Sequence, residues 1–416
     1  AVLPFENKGE KKDDFYAYGI SSDLIKDVSS TGMLRVAALA DIEKLDYLEM
    51  NNDELADKLR VRYVAKGTLW KMDSVFQLSM ELFDTKNSEV VWSNRWQTNW
   101  SDLSTIKGDL SNEILANLNI MVTKNVEQVN VTGNPEAYEY YLKGKYKFEK
   151  RTTLEDLKIA QGLLEKAIKL DSNLVSAMNL MATSYNFIND FDKAEEVYNK
   201  AKEVSIRLND MVAQATAIGG IAVIYYINGD IDRALDLMIQ AKSIAEKAGD
   251  KGQVARNLNN ISLIYSARGD QQKALEVLQE MRELAESLGD KSRLAYAHSN
   301  LAYVYSVTGK KDISMEHTLK AYELAKEIED IEIQAASLTN IAVGKVENKE
   351  YEDGLQQFNK ILDIYDKLGD NSRVVHTLHR IALAYNFMHK DADALKTVER
   401  ALKLSKEIKN DPLIAT

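Results

Sequence analysis

The sequence predicts an α/β domain followed by an all-α solenoid of about seven helix-turn-helix repeats, spaced first by 34 residues and then by 40. Three observations lead there. Only 3 of the 416 residues are proline and 19 are glycine, whereas proline usually takes about 5% of a chain. So few breakers favour long helices and short connections. Strand-like alternation is confined to the residues before Val131–Pro135, and a helical period governs the rest. Superposed on itself at a shift of 40, the later part aligns Tyr185, Tyr225, Tyr265, Tyr305 and Tyr385, with Lys345 as the one departure. The expected domains are 1–130 and 131–416.

In the first domain Ala1–Phe5 reads as a strand, and Asp13–Ser29 as a helix with Phe15, Ile20, Leu24, Ile25 and Val28 on one face. Leu34–Ala38 is a second strand and Asn52–Arg60 a second helix. Tyr63–Trp70, Val75–Phe83 and Glu89–Thr98 follow as strands, joined by short turns at Lys71–Asp73 and Thr85–Asn87. Connections that short predict an antiparallel meander. Phe76, Leu78, Met80 and Leu82 alternate with polar neighbours, as a half-buried strand requires. Asp102–Val122 closes the domain as a helix striped by Leu103, Ile106, Leu110, Ile114, Leu118 and Met121. Pro135 then follows the turn cluster VTGN and suits the first turn of the next helix.

The shift of 40 also aligns small residues at Ala194, Ala234, Ala274, Ser314, Gly354 and Ala394. It aligns the turns Asn189-Asp190, Gly229-Asp230, Gly269-Asp270 and Gly309-Lys310, and the longer-spaced Asn209-Asp210, Gly249-Asp250, Gly289-Asp290 and Gly369-Asp370. Ala160 to Ala194 and Ala167 to Ala201 give the 34-residue spacing of the first copy. The repeats fall near 135–171, 172–210, 211–250, 251–290, 291–330, 331–370 and 371–410. A helix pair cannot bury its apolar face alone, so the copies must stack. The pattern, clearest in Ala222, Tyr225, Gly229, Asp230, Ala234, Met238 and Ala241, resembles the tetratricopeptide repeat (TPR). The longer period resembles the subclass found in bacterial quorum regulators and in cargo or polarity adaptors. That resemblance implies a protein or an extended peptide as partner.

The segments AVLPFEN, GISSDLI, LRVAA, VRYVAKGTL and ELFDTKNSEVVWSNRW, in that order, resemble the TolB-like amino-terminal domain. NPEAYEYYLKGKY resembles the segment that joins that domain to tetratricopeptide repeats. The resemblance implies a sensory or scaffold region of a bacterial signalling protein, with a cyclase, kinase or winged-helix domain in the same polypeptide. The first residues read as a strand entered part-way, and NDPLIAT stops where a further helix would begin. A piece of a larger protein is the expectation.

Composition and motifs exclude most chemistry. The net charge is −11, from 53 basic and 64 acidic residues, which disfavours nucleic acid and anionic lipid as partners. The absence of cysteine excludes disulfides, thiolate metal sites and a thiol nucleophile. The uncharged run Met211–Gly229 has the length of a membrane span, but its Gln214, Thr216 and Asn228 and its repeat register read as a buried or groove-lining helix, without membrane insertion. No phosphate loop, dinucleotide fingerprint, metalloprotease motif or nucleophile elbow occurs. Gly309-Lys310-Lys311 reads as an interhelix turn. His376 and His379 are one turn apart, yet catalytic zinc normally takes three protein ligands, and Arg373 and Arg380 flank the pair. The acids Asp41, Glu43, Asp46, Glu49, Asp53, Glu54 and Asp57 read as a solvated helix face, and Trp70, Trp92, Trp96 and Trp100 as packing. The expectation is a non-enzyme with no catalytic residues, no metal and no cofactor.

Binding candidates come from the repeats. By the tetratricopeptide resemblance, the residue two before the small position of each repeat's first helix (the place of Ala222 in repeat 3) faces the concave side, which selects Asn260, Asn300 and Asn340, with Asn259 beside the first and Arg380 in the last repeat. Asparagine disfavours a helix interior by several tenths of a kcal/mol, roughly, relative to alanine. Its carboxamide can both donate to and accept from a peptide group. Inter-repeat hydrogen bonds that merely stiffen the array are the other reading. Repeat 3 offers Thr216, Gly219, Gly220, Val223, Tyr226 and Ile227 as an uncharged surface opened by two glycines. Arg256 lies upstream, and His376 and His379 join Arg380 in a basic patch. The expected function is to hold a protein or peptide in the groove within a signalling protein. The alternative is a free-standing envelope or assembly adaptor that joins two proteins.

Overall fold

Proline at position 4 has no N–H to give to a neighbouring strand, which suits a place at the edge of the sheet. In the computed structural model, the backbone of Ala1–Phe5 meets β2 through a Val2–Ala65 bridge and flanking bonds, while the Phe5 N–H donates to Ser21 Oγ at 2.8 Å. The first strand of the ladder is β1 (Glu6–Asn7), two residues long and later than expected. It runs parallel to β2 (Tyr63–Met72), which pairs antiparallel with β3 (Val75–Asp84), and β3 pairs antiparallel with β4 (Glu89–Asn99). The sheet order is β1-β2-β3-β4, and the meander is present. The structure describes residues 1–30, 34, 36–37, 39–102, 105–118, 132–151, 153–328, 330–368 and 370–410. The expected strand over Leu34–Ala38 lies partly outside them, and Leu34, Val36 and Ala37 are not in a strand. The boundary expected near residue 131 also lies outside them.

The inward face of β3 carries Phe76, Leu78, Met80 and Leu82, all buried. They join one core with Tyr16, Ile20 and Leu24 of α1 (Asp14–Ser30) and with Ile106, Leu110 and Ile114 of α4 (Ile106–Asn117). Between α1 and β2 lie α2 (Leu39–Glu43) and α3 (Asn52–Leu59). The acids of this stretch have local work. Glu54 closes a capping box with Asn51 at the start of α3. Glu43 pairs with Lys150 at 2.6 Å.

The helices that follow pair in sequence. Through Asp290 they are α5 (Pro135–Glu149), α6 (Leu154–Leu170), α7 (Val175–Phe187), α8 (Phe191–Arg207), α9 (Met211–Ile227), α10 (Ile231–Ala248), α11 (Lys251–Arg268) and α12 (Gln271–Leu288). From Lys291 they are α13 (Lys291–Val307), α14 (Lys311–Glu327), α15 (Ile331–Glu347), α16 (Tyr351–Leu368), α17 (Asn371–Phe387) and α18 (Asp391–Asn410). The chain forms two compact units, Ala1–Asp290 and Lys291–Thr416. The Gly229-Asp230 pair is a complete helix-to-helix joint. Gly229 takes φ +84, a left-handed C-cap that glycine adopts without strain. The Asp230 N–H then donates back to Tyr225 O at 2.9 Å, while its carboxylate accepts from Arg233 N at 3.3 Å. Asp210, Asp250, Asp330 and Asp370 cap α9, α11, α15 and α17 in the same way.

Where paired helices cross, Ala194, Ala234 and Ala274 are buried. The departures from alanine are accommodated individually. Ser314 donates to Ala302 O at 2.7 Å, and a methyl added at Gly354 would lie 2.7 Å from Val346 Cγ2. Gly220 of α9 lies against the Tyr198 ring of α8, so a β-carbon there would run into the ring. Its neighbour Gly219 is buried but roomier, since an added methyl would sit 3.6 Å from Asn257 Oδ1 and 3.9 Å from Ala241 Cβ.

A second close approach joins the sheet layer to the repeats. A methyl at Gly19 of α1 would come within 2.6 Å of Leu142 Cδ2 on α5. Beside it Asp23, buried, accepts from Lys145 Nζ at 2.7 Å and from Tyr138 Oη at 3.0 Å. Burial works against the Lys145 charge, and the Asp23 carboxylate outweighs it, so the ammonium is held above its ordinary range. The surrounding core runs without a break from Val2 to Ala177.

This packing sets two expectations for stability. Lys145→Met should destabilise the first unit by roughly 3–5 kcal/mol in urea unfolding followed by circular dichroism, because Asp23 is left charged and buried. Asp23→Leu combined with Lys145→Met should recover most of that loss; a single variant as stable as wild type would show that the pair does not join α1 to α5. Gly220→Val should lower stability by roughly 1–3 kcal/mol through overpacking. Gly219→Ala should be neutral or stabilising by up to about 1 kcal/mol, since it removes a helix-interior glycine. Equal melting of the two glycine variants would contradict this reading.

Candidate binding face of the repeat helices

The first helix of each pair carries the residues singled out for binding, and the structure assigns them different work. On α9 the Thr216 hydroxyl donates to Val212 O at 2.9 Å, within its own helix. Gly219 is buried and Gly220 makes room for Tyr198, so the two glycines serve helix packing and do not open the surface. Val223 and Tyr226 are half-buried against a core cluster with Ala222, Ala234 and Ile261, and only Ile227 is exposed.

On α11 the polar residues form short networks. Exposed Arg256 donates through Nε to Gln253 Oε1 at 3.2 Å. Gln253 Nε2 in turn donates to Asn257 Oδ1 at 3.2 Å. Asn259 and Asn260 are half-buried, and Asn259 Nδ2 reaches Asn260 Oδ1 at 3.5 Å. Asn257, which the sequence reading passed over, is buried beside Gly219, and its Nδ2 has no hydrogen-bond partner among the described residues. One asparagine serves the stiffening reading directly: Asn179 Nδ2 donates to Ala213 O at 3.2 Å, bridging α7 to α9.

In the second unit Asn300 of α13 is half-buried, while Asn340 of α15 is exposed. His376, His379 and Arg380 are exposed on α17, where Arg373 pairs with Asp370 at 3.2 Å and with Glu332 at 3.6 Å. No group of three or more metal-ligating side chains occurs among the described residues. The tyrosine series is half-buried, with a cation over each of several rings: Lys193 on Tyr185, Arg233 on Tyr225 and Lys273 on Tyr265, at 5.4, 4.0 and 5.5 Å. Trp92 and Trp96 pack 5.6 Å apart, Trp100 donates to Glu139 at 2.8 Å, and Trp70 stays exposed.

A second recurring feature is apolar. Five residues after the small position of the first helix stand Phe187 and Ile227 in the first unit and Val307 and Phe387 in the second, 52% to 57% exposed. Leu263, Tyr303 and Leu383, one residue after the small position, are exposed as well. A single exposed apolar side chain is ordinary, but recurrence at one repeat position is not. Hydrophobicity alone hides these residues, because they look like core. Reading the positions just after each small residue in turn would have separated them.

No helix among the described residues is long and apolar enough to cross a membrane. Residues 213–287 and 333–407 match the tetratricopeptide repeat, and residues 175–205 match it through a second family model. Residues 1–117 match the second domain of HilA/YgeH-like transcriptional regulators. No curated protein matches the chain. Among solved structures, a signal transduction ATPase with numerous domains and a tetratricopeptide repeat sensor, from Pyrococcus horikoshii, is similar at TM-score 0.56 and 17% identity, over 76% of this chain and 49% of that one. The apo form of RapI is similar at TM-score 0.51 and 16% identity, over 66% of this chain and all (100%) of that one. A Rap protein complexed with Competence and Sporulation Factor is similar at TM-score 0.50 and 16% identity, over 74% and 96%. Identities this low speak for the fold alone, and with the family matches they show a tetratricopeptide-like helical repeat array after the small sheet.

Proposed function

We propose that the chain is a non-catalytic region that binds a protein or an extended peptide along the first helices of its repeats, within a bacterial signalling protein. The observation that carries the reading is the recurrence of exposed apolar side chains, Ile227 and Phe187 in one unit and Val307 and Phe387 in the other, at a single repeat position. The first helices of the repeats also carry carboxamides and cations, such as Asn260 and Arg256 on α11 and Asn340 and Arg380 on α15 and α17. Apolar anchors with flanking donors and acceptors suit an extended chain, whose peptide groups need both. In this reading the asparagines engage the ligand backbone and the exposed apolar side chains set selectivity, while Gly219 and Gly220 position α9. The fold likeness to a Rap protein complexed with a factor is compatible with such a use. The signalling context rests on the match of residues 1–117 to a domain of transcriptional regulators and on the TolB-like motifs. A winged-helix, cyclase or kinase domain in the same polypeptide would be the effector.

The reading is tested by selecting peptides from a random display library on the whole chain and titrating one selected peptide by fluorescence anisotropy. Ile227→Ser, and separately Asn259→Ala with Asn260→Ala, should each weaken binding about tenfold, given about 0.5–1.5 kcal/mol per net hydrogen bond and about 0.8 per buried methylene. Melting should change little. Failure to select any peptide, or a peptide that binds all variants equally, would overturn the proposal.

A further inference from the structure

Two histidines that the sequence reading did not pair meet inside the second unit. His298 of α13 and His317 of α14 are both buried, with their Nδ1 atoms 2.7 Å apart. At that distance one nitrogen must carry the proton and the other must accept it. The rings lie 5.0 Å apart, and Tyr305 stacks on His317 at 5.4 Å and 17°. The fold does not require imidazoles there. At the shift of 40, the same two positions hold Met178 and Val197, Ile218 and Leu237, Leu258 and Val277, Leu338 and Gln357, and Leu378 and Thr397. Most of these pairs are apolar and none contains a titratable side chain.

We propose that the His298–His317 pair makes the α13–α14 helix pair acid-sensitive, closed near neutral pH and opening as the pH falls below the ordinary imidazole range. The closed pair has room for one extra proton at most, because two protonated Nδ1 atoms would point donors at each other and place two positive charges in contact. Once α13 and α14 separate, each imidazole is free to take up a proton at its ordinary value near 6.5. The open state therefore binds more protons than the closed one, and linkage makes the closed state lose stability as pH drops from about 6.5.

Glu316 on α14 is an acid that feels both imidazoles; its carboxyl is held below the usual range chiefly by Lys320, 2.7 Å away, and less by the two rings. On α13, Tyr305 stacks on His317, and its ring also faces Lys310 at 5.7 Å. From α15, which packs on α14, the buried side chains are Ile333, Ala335, Ser337, Leu338 and Ala342, none of them titratable.

The test compares the whole wild-type chain with H298L combined with H317V, the residues that repeat 4 uses at these positions. Amide hydrogen exchange of peptides from α13 and α14, corrected for intrinsic rates, is read between about pH 7.5 and pH 5. Wild-type opening should rise about tenfold per pH unit for each proton taken up on opening, and the double variant should stay flat. H317Q, which borrows the glutamine of repeat 6, serves as a second variant with the same expectation should the first lose helicity. An equal pH response in wild type and variants, or wild-type protection unchanged down to about pH 5, would overturn the proposal. So would imidazole nitrogen spectra at neutral pH showing both rings protonated at Nε2 only, with no shared Nδ1 proton.

Discussion

Every repeat depends on one crossing. An α-helix pair stacks only if the two backbones approach closely, and close approach needs a side chain no larger than a methyl or hydroxymethyl group at the crossing point. Ala194, Ala234 and Ala274 meet that need directly, Ser314 meets it by bonding its hydroxyl to Ala302 O, and Gly354 by giving up its side chain. The joints follow from the crossing. A left-handed glycine followed by a capping aspartate turns the chain in two residues, so the second helix starts where it can return along the first. Where asparagine, lysine or histidine replaces the glycine, as at Asn189, Asn209, Lys349 and His389, the same positive φ is kept.

The α/β part is fixed to the repeats by the same kind of contact with charges added. Gly19 lets α1 approach Leu142 on α5, and the Asp23–Lys145 pair lies beside that approach, with Tyr138 on the carboxylate. A buried ion pair is weak evidence of net stability, but a strong constraint on geometry, since either partner alone would be an uncompensated charge. It therefore selects one register of α1 on α5 over neighbouring ones. The continuous apolar core from Val2 to Ala177 supplies the bulk of the attraction between them.

Sequence reading reached the parts whose signal is periodic. The strand of Phe76, Leu78, Met80 and Leu82 and the repeat helices were legible because spacing alone separates a period of two from one of 3.6. It failed at the first strand, where the Phe5 N–H goes to the Ser21 side chain of α1 ahead of β1. The site was harder to read. Nothing local distinguishes Gly220, which accommodates Tyr198, from a glycine that opens a surface, because the ring belongs to another helix. The same holds for His298 and His317, which are 19 residues apart and meet only through the α13–α14 crossing, whereas His376 and His379, adjacent on one helix turn, stay on the surface.

The placement of the indoles has an optical consequence. The sequence contains four tryptophans, Trp70, Trp92, Trp96 and Trp100, and all lie on β2, on β4 or in the turn just after β4. Indole emission from this chain therefore reports on the sheet and, through the Trp100 bond to Glu139, on its contact with α5, while the peptide signal of helices dominates the far-ultraviolet. The second unit can come apart without changing a single indole environment of its own, having none. A chain free of cysteine adds a blank background on which one introduced thiol, in either unit, would carry a dye without competition. The same molecule thus offers separate optical channels for its first and second units, so that cooperativity between them becomes something to observe directly, where a single melting curve would only assume it.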